Sequence, residues 1–222
     1  MRSNKKKLLL VEGEADQRFF GLCLQRAQLA GQVGVGPPMS YGAQGSGKGN
    51  AISLLPTLLK QLETGEITHL ALIVDADAPS SNGLGFQKTV DKVYDQAKSR
   101  GYQHPKRLAA GSGYRFTHPD GLPDLGLWVM PDNASDGFLE DFMLQSAHLD
   151  EAQLIADAKK AVSKLASPKF PPHHRSKADA ATWLAWQEKP GRGLHGSFGG
   201  NLIDWSRPPA KPFEEWLKAV FL

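Results

Sequence analysis

A chain of 222 residues, 41% hydrophobic and 22% charged, is long enough to bury one full-sized core and too apolar for disorder to be its default state. Its single cysteine, Cys23, excludes an internal disulfide and a cysteine-based zinc site, and its place among Phe19, Phe20, Leu22 and Leu24 marks it as core packing in a reducing compartment. The net charge of +3 hides an asymmetry: residues 1–7 carry four basic groups, residues 8–158 carry 11 basic against 18 acidic groups, and residues 159–222 carry 11 against 5. An acidic body joined to a basic C-terminal third suits a metal site beside a surface that holds a polyanion. It equally suits helices kept in solution by their charge.

The first residues, Arg2, Lys5, Lys6 and Lys7 followed by Leu8 to Val11, imitate a secretory leader, but the apolar part stops at Glu12 after four residues. No other apolar run approaches the roughly 20 residues of a membrane span, so the expectation is a cytoplasmic protein that does not enter the membrane. Lys7 to Val11 reads as a short strand broken by Glu12-Gly13. Helical spacing begins near Asp16, with Phe19, Phe20, Cys23, Leu24, Ala27 and Ala30 recurring every three or four residues. Glu12 then stands at a strand exit and Asp16 in the first turn of the next helix, four residues apart and able to face one crevice. Gly31 to Tyr41 reads as a strand interrupted by Gly36-Pro37-Pro38. The run Gly42 to Gly49 imitates a phosphate loop but has Gly49 where a metal-holding Ser or Thr belongs, which excludes the ATPase reading and leaves a glycine turn able to deliver Lys48 to a site. An amphipathic helix follows over Ala51 to Glu63.

Leu70-Ala71-Leu72-Ile73-Val74-Asp75-Ala76-Asp77 is the stretch around which the rest is organised. A run apolar at every position predicts a central parallel strand buried on both faces, and the carboxyl end of such a strand opens into a ligand crevice. Two carboxylates one residue apart at that exit repel each other unless a cation sits between them, and a hard divalent ion with oxygen ligands, Mg²⁺ above all, is the usual one. The plain alternative is a pair of loop aspartates that cap the next turn. Ala78 to Gly83 is turn chemistry, and a third helix runs from about Phe86 to Arg100. Helices alternating with apolar strands predict an α/β fold with a mostly parallel sheet flanked by helices.

Leu108 to Phe116 is ambiguous and interrupted by glycine, whereas Leu125 to Met130 is a clear strand closed by Pro131-Asp132-Asn133. The helix that opens near Gly137 carries Glu140 and Asp141 in its first turns, either as a further carboxylate cluster or as the solvated face of an amphipathic helix. The character changes at residue 150, which divides an α/β domain over 1–149 from a basic helical extension over 150–222. That extension has a helix over Glu151 to Leu165, a proline-rich loop over Ser167 to Ser176, a Trp-rich helix over Lys177 to Gln187, a glycine-rich loop over Lys189 to Gly200 and a last helix over Phe213 to Leu222. Trp183, Trp186 and Trp216 recur at core-like spacings. His173-His174 flanked by prolines predicts an exposed loop with diverging side chains rather than a metal pair.

Val11-Glu12-Gly13 with Asp16, followed by the apolar strand into Asp75-x-Asp77, resembles the Toprim domain of type IA topoisomerases, bacterial primases, OLD-type nucleases and small RNA-maturation nucleases. Trp128-x-Met130-Pro131-Asp132-Asn133, Gly137-x-Leu139-Glu140-Asp141-Phe142 and Pro190-Gly191-Arg192 resemble, over most of the chain, a Toprim-like family of small bacterial proteins of unknown function. The resemblance implies a Toprim-like sheet at whose rim Glu12, Asp75 and Asp77 converge, the glutamate as general acid or base and the aspartates as ligands of Mg²⁺ or Mn²⁺. It implies that Asp16 supplies a ligand for a second metal, as extra carboxylates do in OLD nucleases, with Glu140 and Asp141 as further ligands. No tyrosine can be assigned as in topoisomerases and no zinc domain as in primases.

Cutting a phosphodiester requires an in-line nucleophile and cations that neutralise the phosphoryl oxygens. Clustered carboxylates hold such ions, and crowding by Asp75 and Asp77 brings the Glu12 proton toward neutral pH. Lys48, Lys177 and Arg192 are candidates for transition-state or phosphate contacts, with Lys177 and Arg192 assigned to nucleic acid. The favoured expectation is a metal-dependent nuclease acting on DNA or RNA. A non-catalytic Toprim-like module binding nucleic acid or a protein partner, a second copy included, is the alternative. A haloacid-dehalogenase-type phosphatase ranks last, because Pro79 stands where that group has Thr or Val and a glutamate strand precedes the Asp-x-Asp strand.

Overall fold

The computed structural model describes residues 6–81, 83–107 and 112–222. Arg2, Lys5, Asn82 and the first four residues of the ambiguous stretch at Leu108 lie outside the described residues. The chain builds six strands, β1 (Lys7–Leu10), β2 (Val33–Gly36), β3 (His69–Asp75), β4 (Lys106–Arg107), β5 (Tyr114–Phe116) and β6 (Leu125–Met130). Its helices are α1 (Glu14–Arg26), α2 (Lys48–Glu63), α3 (Gly85–Lys98), α4 (Leu139–Ser146), α5 (Ala152–Ser163), α6 (Arg175–Ala185), the single turn α7 (Gly196–Gly199) and α8 (Ala210–Phe221).

The strands form one mixed sheet in the order β2-β1-β3-β6-β5-β4. The first four are parallel; β5 and β4 run antiparallel at one edge. As the apolar run predicts, β3 is central, paired on one side with β1 and on the other with β6. Period-two alternation divides each inner strand between two cores. Leu9, Ala71, Ile73, Trp128 and Met130 face α1, α4, α5, α6 and α8, whereas Leu8, Leu10, Leu70, Leu72, Val74, Leu127 and Val129 face α2 and α3. The helices beyond residue 150 therefore cover one face of the sheet. Close contact there requires Gly126: a Cβ at that position would lie 2.9 Å from the Val220 side chain of α8.

Local departures from the sequence reading have local causes. The first helix ends at Arg26 instead of near Ala30 because Gln28 turns left-handed, with φ of 62°. The second begins at Lys48, three residues early, because Gly47 (φ 95°) swings the chain directly into the helix. Trp183 and Trp216 are buried as expected, but Trp186 is 46% exposed, because it follows the last turn of α6 rather than its inner stripe. His173 and His174 do not diverge into solvent: the rings meet edge to face at 4.4 Å, and His174 also packs on Phe138.

Candidate functional site

The parallel strands deliver their acids to one rim. Glu12 follows β1, Asp75 ends β3 with Asp77 two residues on, and Glu140 lies in the first turn of α4, reached from β6 through residues 131–138. The loops are stitched by backbone bonds: Ala76 N–H donates to Met130 O at 3.0 Å, Asp77 N–H to Gly137 O at 3.0 Å and Gly47 N–H to Glu12 O at 2.7 Å. The glycine turn before α2 is thereby fixed against the exit of β1. Helices that follow parallel strands start at this rim, so their N-terminal amides face the acids and offset part of their repulsion.

Glu12 and Asp75, 63 residues apart, are in direct contact. The backbone N–H of Asp75 donates to Glu12 Oε1 at 2.8 Å, and Asp75 Oδ1 accepts from Leu139 N–H, the first amide of α4, at 3.0 Å. Asp16 Oδ2 accepts from Gly13 N–H at 2.8 Å, so this acid ties its helix back to the preceding turn. Asp141 does the same for α4, accepting from Phe138 N–H at 2.9 Å and from the Ser176 hydroxyl at 3.1 Å. Of these two capping acids, Asp16 also feels Glu12, Asp75 and Glu140, whereas Asp141 lines a separate cavity of about 340 Å³ with Lys159, His173, Arg175 and Asp179. Glu140 is buried at 8% exposure. Its Oε2 has no hydrogen-bond partner and stands 3.4 Å from Lys177 Nζ.

Burial and like charge set the electrostatics. Burial, reinforced by Asp16 and Asp77, pushes the Glu12 carboxyl up to about 7 against the opposing pull of the Asp75 N–H and Lys48. Burial, then Glu12, raise Asp75 well above the usual carboxylate range, and Asp16 is raised by burial and by Glu140. Burial depresses Lys177, but Glu140, Asp75 and Asp16 outweigh it, and its affinity for the proton rises. Its ammonium also sits 4.5 Å over the Phe138 ring.

The structure gives Lys48 a position that spacing alone did not reveal. Its ammonium donates to Asp75 O at 2.8 Å, Ala76 O at 3.0 Å, Asp77 Oδ2 at 2.6 Å and Thr89 Oγ1 at 3.2 Å, so it pins the β3 exit to α2 and α3. Arg192 lines a small cavity with Leu184, Gln187, Lys189 and Leu202, and no contact joins it to the acids. Two further residues shape the rim. Thr89 is fully buried and bonded to Gly85 O at 2.7 Å, and Asn133, buried and left-handed at φ 57°, accepts from Val129 N–H at 2.7 Å. Asn133 was announced by the Pro-Asp-Asn turn, a common home of left-handed asparagine; Thr89 carried no signal beyond its place on the inner stripe of α3.

The donor set at the rim is carboxylate oxygen, which suits a hard divalent cation, and the buried Oε2 of Glu140, without a hydrogen bond, has the Lys177 ammonium at 3.4 Å as its positive partner. Among the described residues, no three His, Cys, Asp or Glu side chains are already gathered as a cage. Each of Glu12, Asp16 and Asp75 has one oxygen turned to a backbone N–H, and Asp77 one to Lys48. Among the described residues, no helix is long and apolar enough to cross a membrane. A family model described as a protein of unknown function (DUF3226) matches residues 6–222. No curated protein and no solved structure matches the chain.

Proposed function

Starting from a chain that belongs to the DUF3226 family, described only as of unknown function, we propose that it is a divalent-metal-dependent phosphoryl-transfer enzyme. In this reading it is a nuclease of the Toprim kind that cleaves phosphodiester bonds in DNA or RNA. The observation that carries the reading is the 2.8 Å bond from Asp75 N–H to Glu12 Oε1, which brings the glutamate of the first strand exit against the Asp-x-Asp of the central strand. Buried acids crowded until their proton affinities rise are what a site looks like when it is built to be neutralised by a ligand cation.

Asp75, Asp77 and Glu12 are the residues to hold Mg²⁺ or Mn²⁺, with Asp16 and Glu140 near enough to interact with Asp75. Such an ion, when bound, supplies charge neutralisation on the phosphoryl oxygens and an acidified water. Glu12, poised at about 7, holds or releases a proton near neutral pH and is placed as general acid or base. Lys48 acts through position, because its four bonds keep Asp77 and the β3 exit in register with α2. Lys177 offers a cation beside Glu140 and within electrostatic reach of Asp75.

A second reading, a binding module without catalysis, is favoured by the pairing of Lys48 with Asp77 and of Lys177 with Glu140, which gives both acids partners without a metal. Labelled single- and double-stranded DNA and RNA incubated with Mg²⁺ or Mn²⁺ separate the two. Cleavage that EDTA abolishes and that Asp75→Ala lowers at least a hundredfold supports the enzyme. Cleavage indifferent to Asp75→Ala, or none with either metal, leaves the binding module.

A further inference from the structure

We infer that the outer edge formed by α3 and β4 is a binding strip for single-stranded nucleic acid that runs up to the carboxylate rim. The inference rests on the phosphodiester reading above for the direction of the strip and names the substrate class that reading leaves open. Residues 85–107 carry six Lys or Arg against two Asp, a local positive excess inside a body whose net charge is otherwise negative. Two of those cations, Lys98 and Arg107, lie against aromatic rings, whereas Arg100 is paired with Glu63 of α2. Away from the rim, Tyr94 on α3 packs edge-on against the exposed His104 at 4.9 Å, and the ammonium of Lys98 lies 5.9 Å over the Tyr94 ring. About 12 Å of helix nearer the rim, at ~1.5 Å per residue, the Arg107 guanidinium, on an exposed residue but donating to Tyr114 Oη at 2.9 Å and to Asn133 O, lies 5.0 Å over Tyr114 and 5.6 Å over Phe86, whose own rings stand 6.2 Å apart.

This second group is joined to the site by bonds. Phe86 N–H donates to Asp136 Oδ1 at 2.6 Å, and the next residue, Gly137, accepts the N–H of Asp77. β4 is the edge strand of the sheet, a two-residue element whose outer side pairs with no other strand among the described residues. Cations set against ring faces along an open edge match the chemistry of an unpaired strand, in which phosphates seek charge and each base has a π-face to stack. A duplex hides those faces between its base pairs and has only its phosphates to offer. The strip therefore selects single strands.

The test uses the whole chain in EDTA with two fluorescein-labelled probes, a 12-mer of deoxythymidine and a 12-base-pair duplex, followed by fluorescence anisotropy across a salt series. The single strand is expected to bind at least tenfold more tightly than the duplex. Tyr94→Ala and the double reversal Lys98→Glu/Lys106→Glu, which changes two exposed surface groups and spares the core, are each expected to weaken it about tenfold. The reversal should also flatten the slope of log K against log salt by about 1.4, at ~0.7 for each phosphate that is no longer neutralised. Equal affinity for the duplex, unchanged binding in both variants, or a loss seen only in Lys189→Glu/Arg192→Glu overturns the inference. Hydrolysis of bis(p-nitrophenyl) phosphate by the unaltered protein with Mn²⁺ reports the rim alone. Hydrolysis without oligonucleotide binding removes the strip and keeps the phosphodiester reading, whereas binding through the strip without hydrolysis of either substrate keeps the strip and removes that reading.

Discussion

The two ends of the sheet handle charge in opposite ways. Where the parallel strands begin, Lys7 and Arg115 have acceptors of their own. Lys7 Nζ donates to Phe221 O at 2.6 Å, Arg115 Nη2 donates to Ala219 O at 3.0 Å, and Arg115 Nε lies 3.4 Å from Asp124 Oδ2. Two of those partners are carbonyls in the last turn of α8, the negative end of a helix dipole, so cation and helix stabilise each other. Where the strands end, five acids, Glu12, Asp16, Asp75, Asp77 and Glu140, share two lysines. One end is held together by its charges and the other is opposed by them. The surplus negative charge sits at the end where open α/β sheets receive ligands, which makes it the end kept for chemistry at the expense of stability.

That contrast can be broken or sharpened by mutation. The largest loss is expected from Lys48→Met, which leaves Asp77 and three other acceptors without their shared part-buried donor, and urea denaturation should register it at about 3 kcal/mol. A loss under about 1 kcal/mol would mean that the rim tolerates its acids unaided. Next comes Glu12→Gln, with the opposite sign. The folded-state pKa of Glu12 lies near 7 and its ordinary value near 4.5, so the folded protein keeps a proton that the unfolded chain releases between those pH values. Its contribution is fully present below about pH 4.5 and is lost as pH rises to about 7. The glutamine variant should therefore match the parent in urea at low pH and exceed it at pH 8 by about 3 kcal/mol. A variant less stable than the parent at pH 8 sinks the claim of strain at this end.

The matched end should answer with smaller numbers. Lys7→Met removes one charge-assisted bond to a helix terminus and is expected to cost about 1 kcal/mol by thermal denaturation at any pH between 5 and 8. Asp124→Asn, whose pair with Arg115 is about one-third exposed on both sides, should change stability by under about 0.5 kcal/mol. Should either exceed the effect of Glu12→Gln, the two ends do not differ as described.

The sheet interior was legible because β1, β3 and β6 are apolar at consecutive positions and end in punctuation the eye can find, Glu12-Gly13, Asp75 and Pro131. The meeting of Glu12 with Asp75 was implied by the Toprim resemblance and not by spacing, since only the structure shows that β1 and β3 are adjacent parallel strands that end side by side. The antiparallel edge was not, because β4 has two residues and β5 three, too short for any period to declare itself. Nor was the split between Glu140 and Asp141. Adjacent acids in one first turn look alike in sequence, and which one turns inward is decided by Lys177 and Ser176, which arrive more than thirty residues later from another helix. The glycine turn was read as able to deliver Lys48 to a site, and Lys48 does stand at the rim beside Asp77; the backbone carbonyls of Asp75 and Ala76 that also hold it are what no sequence distinguishes. Trp186 shows the limit of spacing as evidence, since three residues beyond the buried Trp183 the helix has already ended.

Part of the cover over Trp128 and Gly126 comes from α8, which begins about 80 residues after β6 ends, so synthesis passes well beyond the sheet before that cover exists. While Ala210–Phe221 is still inside the ribosome, the nascent sheet keeps an apolar flank bare. Stalled nascent chains that end short of α8 should accordingly be digested by a protease that the released polypeptide withstands.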